Sequence, residues 1–410
     1  MEIFRDTNFD FLGKKWPFII GSIALTAAGL ISIAVKGGLQ YGIDFKGGAL
    51  MTVKFAGPPP IDRIRSELSK RVPGEITIQT FTDISSGNEV VVGTELREER
   101  QLNESRRAML ETLETTFGQP QSGKLEFNNA SQQAIVDRLR EPLQRKGAAL
   151  SDDQLRELVA RIVQYRNTPP RSGLLQNFDQ LSGVAGVNAD IINTLKQEAY
   201  LAPYSVRQVE MVGPKVGADL KRQAVLATLY ALGGMLVYIA FRFEWIYGVA
   251  AVLAVFHDTV VTIGLFSIFN KEISLTVIAA LLTLVGYSMN DTIVIFDRVR
   301  ENLKLSRREP LASIINRSVN QTLGRTVMTS GLTFLTVLAL FLFGGPVLHT
   351  FSFALVVGLI VGTYSSVFIA SPIVLFWHDF YDKRRKSPPP APAIRPETAT
   401  RKGTPRPVSK

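Results

Sequence analysis

The sequence predicts a polytopic α-helical membrane protein carrying one large α+β domain outside the bilayer. Three observations predict it: six long apolar runs, about 190 residues of ordinary soluble composition between the first and second, and a basic surplus confined to two regions near the spans. A hydrocarbon core about 30 Å thick takes roughly 20 apolar residues of helix to cross.

Composition narrows the chemistry. The chain has 410 residues, 46% hydrophobic, with 46 Lys and Arg against 36 Asp and Glu. The absence of cysteine excludes disulfide scaffolds, thiolate metal sites and cysteine nucleophiles. Only His257, His349 and His378 are present, so no metal site built from protein ligands alone is expected. A phosphate-binding glycine loop is absent, which is consistent with energy from an ion gradient, and no ATPase or hydrolase activity is expected of the chain.

Taken in order, residues 1–15 lead into a first span at 16–35, too long for a cleavable signal core and read as an uncleaved anchor. Five more spans are expected at 224–241, 246–269, 274–296, 326–343 and 351–377, with the outer domain at 36–223. Lys and Arg beside spans stay on the cytoplasmic side. Region 297–325 carries seven bases (Arg298, Arg300, Lys304, Arg307, Arg308, Arg317 and Arg325) and a net +4; the tail from 379 carries a net +6, so together they hold the whole formal charge of +10. The short loops on the other side offer only Lys271. The pI near 9.7 therefore reads as membrane orientation, with no specific nucleic-acid partner expected. Both termini and loop 297–325 are expected in the cytoplasm and the large domain on the opposite side, which in a bacterium is the periplasm or cell exterior. The basic, proline-rich tail 378–410 cannot bury enough apolar surface to order itself, so disorder and contact with the lipid bilayer are expected.

Within the outer domain, strand-like stretches at 39–55, 75–82, 89–93 and 204–212 alternate with helical patterns after Pro60 and at 106–117. That strand-helix-strand-strand-helix-strand order suits a ferredoxin-like unit. The polar stretch 118–200 reads as a helical insertion into it.

A carboxylate inside the bilayer costs on the order of 2.5–3.5 kcal/mol, which makes an intramembrane Asp a functional-site hypothesis. Two occur. Asp258 lies mid-span beside His257, which reads equally as a structural hydrogen-bonded pair. Asp291 lies in the fourth span with Tyr287 and Ser288 at i−4 and i−3 on its own face and Asn290 adjacent. In the fifth span, Arg325, Thr329, Thr333 and Thr336 fall within about an 80° arc, and antiparallel packing puts an Asp291–Arg325 ion pair within reach. The plainer readings are threonines bonding their own helix carbonyls and Arg325 as a snorkelling anchor. Gly358, Gly362 and Ser366, at spacing four, read as close helix packing. Approach of a buried Asp and an Arg can switch the carboxylate between holding and releasing a proton; the domain tied to spans one and two would be the output.

These residues resemble the SecF subunit of the bacterial protein-export machinery, within the RND superfamily of ion-driven membrane proteins. The resemblance is carried by YGIDFKGG at 41–48, VGPKVG at 212–217, FRFEW at 241–245, His257-Asp258, GYSMNDT at 286–292 running on to 302, NQTLGRT at 320–326 and FGGP at 343–346. It implies an RND-like six-span half that pairs with SecD, associates with the SecYEG channel and uses the proton-motive force to promote movement of unfolded exported polypeptide. It implies that Asp291 and Arg325 conduct the proton, with His257 and Asp258 as a secondary relay and Tyr287, Ser288, Asn290, Thr329 and Thr333 as polar support. No cofactor is implied; the coupling ion is the proton, with sodium left open. Gly42, Asp44, Phe45, Gly47 and Gly48 read as a structural motif, the glycines for turns and close approach. The alternative is half of an RND-type exporter of small molecules or lipids. A ligand sensor would leave Asp291 without a role.

Overall fold

The computed structural model describes residues 7–81, 88–96, 98–146, 150–242, 244–306 and 308–386. The tail from 387 onward, for which disorder is expected, Phe243 and Arg307 lie outside them. In chain order the elements are α1 (Lys15–Val35), the helical turn α2 (Ile43–Lys46), β1 (Gly48–Phe55), α3 (Ile61–Arg71), β2 (Ile76–Phe81), β3 (Glu89–Glu95), α4 (Gln101–Phe117), β4 (Leu125–Glu126), α5 (Gln132–Arg145), α6 (Asp152–Asn167), a 3-10 segment (Phe178–Gly183), α7 (Ala189–Glu198), β5 (Ala199–Tyr200) and β6 (Tyr204–Val212). The membrane helices follow: α8 (Pro214–Arg242), α9 (Trp245–Ile268), α10 (Leu275–Leu305), α11 (Leu311–Phe343) and α12 (Gly345–Ser365), which runs through a π turn (Ser366–Ala370) into α13 (Ser371–Lys386).

Six helices are long and apolar enough to cross a membrane. Several of their ends run well past the hydropathy reading. The second span begins at Pro214, ten residues before the apolar run, and residues 297–325, expected as a loop, are helical up to Leu305 and again from Leu311. The tail is likewise helical to Lys386. The reason is physical: hydropathy marks where side chains meet lipid, while backbone hydrogen bonds carry a helix into water wherever good helix formers such as Lys, Arg, Glu and Leu continue.

The spans are unequally buried. In α9 and α10 half of the membrane window is buried, and in the sixth span 56%, against 11% in α1 and α8 and 17% in α11. The three central helices meet through small residues. A side chain at Gly358 would strike Leu284, and one at Gly362 would press on Ser288, so α12 lies directly against α10. Gly29 of α1 and Gly264 of α9 meet backbone to backbone.

Outside the bundle, β1, α3, β2, β3, α4 and β6 form the βαββαβ unit. The sheet order is β2-β3-β1-β6 with every pair antiparallel. Period-2 alternation places Ala49, Met51, Val53 and Phe55 of β1 and Val90 and Val92 of β3 against Ile64 and Leu68 of α3 and Met109 and Leu113 of α4. Residues 39–47, expected to be partly strand, hold only an isolated bridge at Tyr41 and the α2 turn. The insertion is a helical unit with its own core of Phe127, Ile135, Leu139, Leu158, Ile162 and Leu195. Ser131 caps α5, and a Ser151–Gln154 capping box starts α6.

Candidate intramembrane carboxylate site

Asp258 sits on α9 with 0% exposure. Ser288 of α10 and Ser365 at the end of α12 each donate to its Oδ2, at 2.6 and 2.8 Å, and His257 Nδ1 lies 3.0 Å from its Oδ1. One carboxylate thus joins spans three, four and six. The local sequence builds each partner. Gly362 brings α12 close enough, and the π turn beginning at Ser366 re-aims the helix just after Ser365. Span one reaches the same centre: the Ser22 and Tyr364 hydroxyls are 2.9 Å apart, and the Tyr364 ring meets the His257 ring edge to face at 6.2 Å.

Asp291, 3% exposed, lies three residues beyond Ser288, so about 4.5 Å of helix rise separates the two along α10. Its Oδ2 accepts from Ser330 of α11 at 2.9 Å. Among the described residues that is its one side-chain hydrogen bond.

The expected partners divide. Ser288 is buried, yet its hydroxyl serves Asp258 and not Asp291. Tyr287 is half-buried, and its hydroxyl, like His257 Nε2, has no hydrogen-bond partner among the described residues. Asn290 is exposed, about 100° around α10 from Asp291. Arg325 forms no ion pair with Asp291: among the described residues none within 4.0 Å joins them, and Arg325 is exposed. It lines instead a cleft of about 380 Å³ with Asp297, Arg298, Glu301, Gln321 and Thr322. Thr329, Thr333 and Thr336 bond the carbonyls of Arg325, Thr329 and Leu332 on their own helix. The polar stripe thus follows the outer face of α11; Thr326 and Ser330, both buried, mark the inner one.

Sequence reasoning missed Ser330, Ser365, Tyr364 and Ser22. Ser330 had a signal, since Thr322, Thr326 and Ser330 form a second stripe at spacing four, about 100° from the first. Further along α10, Asn302 donates to Ser318 and Gln321 of α11, at 2.8 and 2.9 Å, fixing the register that places Ser330 at Asp291.

The motif after the first span packs at the other end of the bundle. Asp44 Oδ2 accepts from the Leu275 amide of α10 at 2.8 Å. Phe45 is buried with Phe266, Ile273, Val277 and Leu281. Gly42 donates to the Ile273 carbonyl at 3.0 Å, and the Ile273 amide donates to the Gln40 carbonyl at 2.7 Å. Gly47, at φ +79°, lies against Pro214 with no room for a side chain, and Gly48, at φ +156°, lies against the Thr94 carbonyl. Beside them burial pushes the Glu272 carboxyl above its usual range; a Gln79 hydrogen bond and Lys46 oppose this, and Asp44 adds to it.

Two buried carboxylates, on the adjacent central membrane helices α9 and α10 and each served by hydroxyls from neighbouring helices, define a multi-pass membrane protein organised around intramembrane acids. The comparisons with known proteins give the particular family. The pattern described as "Protein export membrane protein SecD/SecF, C-terminal" matches residues 192–379, and that described as "SecD/SecF GG Motif" matches residues 31–59. The protein translocase subunit SecF of Koribacter versatilis (strain Ellin345) is 47% identical over 96% of this chain and 98% of its own length. That of Magnetococcus marinus is 37% identical over 92% and 94%. The chain belongs to the SecF family of protein translocase subunits, a bacterial multi-pass membrane family. The crystal structure of SecDF from Thermus thermophilus, described as a translocon-associated membrane protein, superposes with a TM-score of 0.63 at 32% identity, covering 91% of this chain and 39% of that one. A second SecDF structure, in a form called super-membrane-facing, gives 0.54 at 31% identity over 93% and 40%. The chain therefore spans about two-fifths of the length of the solved SecDF proteins.

Proposed function

We propose that this chain is the SecF half of a gradient-driven protein-export device, paired with a SecD-type half and acting with the SecYEG channel on unfolded preproteins. The observation that carries the reading is Asp291: a buried intramembrane carboxylate held by one serine hydroxyl among the described residues, with an exposed arginine, Arg325, on the neighbouring helix α11. Protonation state at such a group couples to helix position, because a charge left in low dielectric must find a donor or a cation. One charge moved across 100 mV supplies about 2.3 kcal/mol, enough to bias a conformational equilibrium.

A partner half is supported by the exposed membrane faces. Asn290 on α10 and Arg325 on α11 are exposed on helices long and apolar enough to span a membrane. Lipid does not satisfy such groups, whereas a second helical half can. The fused SecDF of Thermus thermophilus, 53% identical over 178 residues, points to a SecD-type occupant. The basic region 297–325 and basic tail support a cytoplasmic placement of that end, with the sheet domain outward. The cysteine-free background offers a direct check: impermeant maleimide applied outside should label Gln121→Cys and spare Arg308→Cys, and the reverse pattern overturns the orientation.

The reading is tested in vesicles carrying the assembled translocase. Asp291→Asn is expected to lower gradient-stimulated export and proton flux more than tenfold while ATP-driven initiation persists. Wild-type flux and export in that variant would remove Asp291 from the mechanism; flux carried by sodium instead would change the ion and keep the site. Recovery of an outer-membrane channel and adaptor in place of a SecD-type half would favour an RND-type exporter of small molecules or lipids.

A further inference from the structure

The fourth span ends, on the sheet side, in a contact that the carboxylate site does not use. Helix α10 begins at Leu275, whose amide is one of the unpaired donors that every helix leaves in its first turn. Ser274 caps the helix locally, with its hydroxyl accepting from Val277 at 3.4 Å. The Leu275 amide is satisfied instead by Asp44, which lies 231 residues earlier in the chain. A carboxylate at that position is stabilised by both the hydrogen bond and the positive end of the helix dipole.

Asp44 is not on a free loop. Phe45 is 7% exposed and wedged among side chains of α9 and α10, and from Gly48 the chain continues as β1, an inner strand of the sheet. Gly47 abuts the first turn of α8, and a side chain at Gly217 would press on the Gly47 amide. Five residues thus touch the start of span four, the start of span two and the sheet. From Leu275 the helix runs 16 residues, about 24 Å, to Asp291 without interruption. A continuous α-helix shifts along its axis as a body, so movement at one end is felt at the other.

We propose that Asp44 is a positioning residue that couples span four to the sheet domain, delivering movement of α10 at Asp291 to strand β1 through the Leu275 amide. This rests on the gradient-driven reading above. The coupling depends on an acceptor oxygen at that place. Its net charge is secondary, since Asn caps helices about as well as Asp.

The experiment uses the full chain in the assembled translocase and compares Asp44→Ala, Asp44→Asn and Asp291→Asn for complex recovery, proton flux and gradient-stimulated export. Asp44→Ala is expected to keep assembly and flux near wild type and to lose export at least tenfold, and Asp44→Asn to restore most of it. Amide exchange in the peptide spanning 271–280 should quicken at least tenfold in Asp44→Ala and remain slow in Asp44→Asn. Wild-type export in Asp44→Ala overturns the coupling, as does an equal fall of flux and export in complexes that assemble normally. If Asp44→Ala does not assemble, Asp44→Glu decides: it keeps the charge but displaces the oxygen by one methylene, so reduced export at wild-type flux supports the proposal and unchanged export overturns it. Full activity of Asp291→Asn would instead mean that the gradient-driven reading has failed.

Discussion

Asp258 and Asp291 start as one kind of sequence feature, an acid inside an apolar run, and the fold treats them differently. Asp258 is sealed at the meeting point of three spans by two serine hydroxyls and a histidine. Asp291 has one serine and sits beside the thinly buried fifth span, whose outer face is exposed. The difference teaches that a buried acid with full hydrogen bonding serves as a fastener, whereas one with a single partner has capacity left for a proton or an approaching cation.

That contrast can be broken by stability as well as by activity. Asp258→Ala leaves the buried Ser288 hydroxyl without its acceptor and Ser365 with only the Gly362 carbonyl. A loss of about 2–5 kcal/mol is expected, read as a lower unfolding midpoint in detergent and poor recovery of the complex. A variant as stable as wild type would contradict the fastener role. Ser330→Ala removes the only side-chain partner found for Asp291 among the described residues, and its effect should fall on function: proton flux is expected to change about three- to tenfold, with stability altered by no more than about 1 kcal/mol. An unchanged flux–pH profile would show that the serine does not tune the carboxylate.

The smallest effect belongs to the junction. Glu272 binds protons more tightly in the folded chain than in the unfolded one, because burial raises it; Asp44 adds to this, while Gln79 and Lys46 oppose it. The folded state therefore holds the extra proton, and stability falls as pH rises from the ordinary value of 4.5 through the raised one. Glu272→Gln should flatten that slope and raise the thermal midpoint at neutral pH by about 2 °C, with no gain near pH 4.5. A wild-type slope in the variant would assign the pH dependence to other groups.

Much of this architecture was legible in the sequence. The spans follow from apolar length, and the sheet strands from alternation, as in Val206, Val209 and Met211, and from β-branched runs, as in Val90, Val91 and Val92. Helix ends were not, because Lys215, Lys221 and Arg317 continue helices where lipid stops. At the site, the intramembrane position alone singled out both acids. Their partners were less legible, since helical spacing defines faces but not which face points inward. Helix α11 carries two polar stripes, and only packing against α10 distinguishes Thr326 and Ser330 from Arg325 and Thr329. Ser288 shares a face with Asp291 by spacing, yet the approach of α9 gives its hydroxyl to Asp258. The Asp44–Leu275 contact joins residues 231 apart, and no local pattern signals it.

The account's central claim is that Asp291, not Asp258, exchanges the proton. Infrared difference spectroscopy of the reconstituted complex, stepped in pH, reads it directly through the carbonyl stretch of a protonated carboxyl group. The account predicts a titrating band that disappears in Asp291→Asn and persists in Asp258→Asn. A band lost only in Asp258→Asn would contradict it.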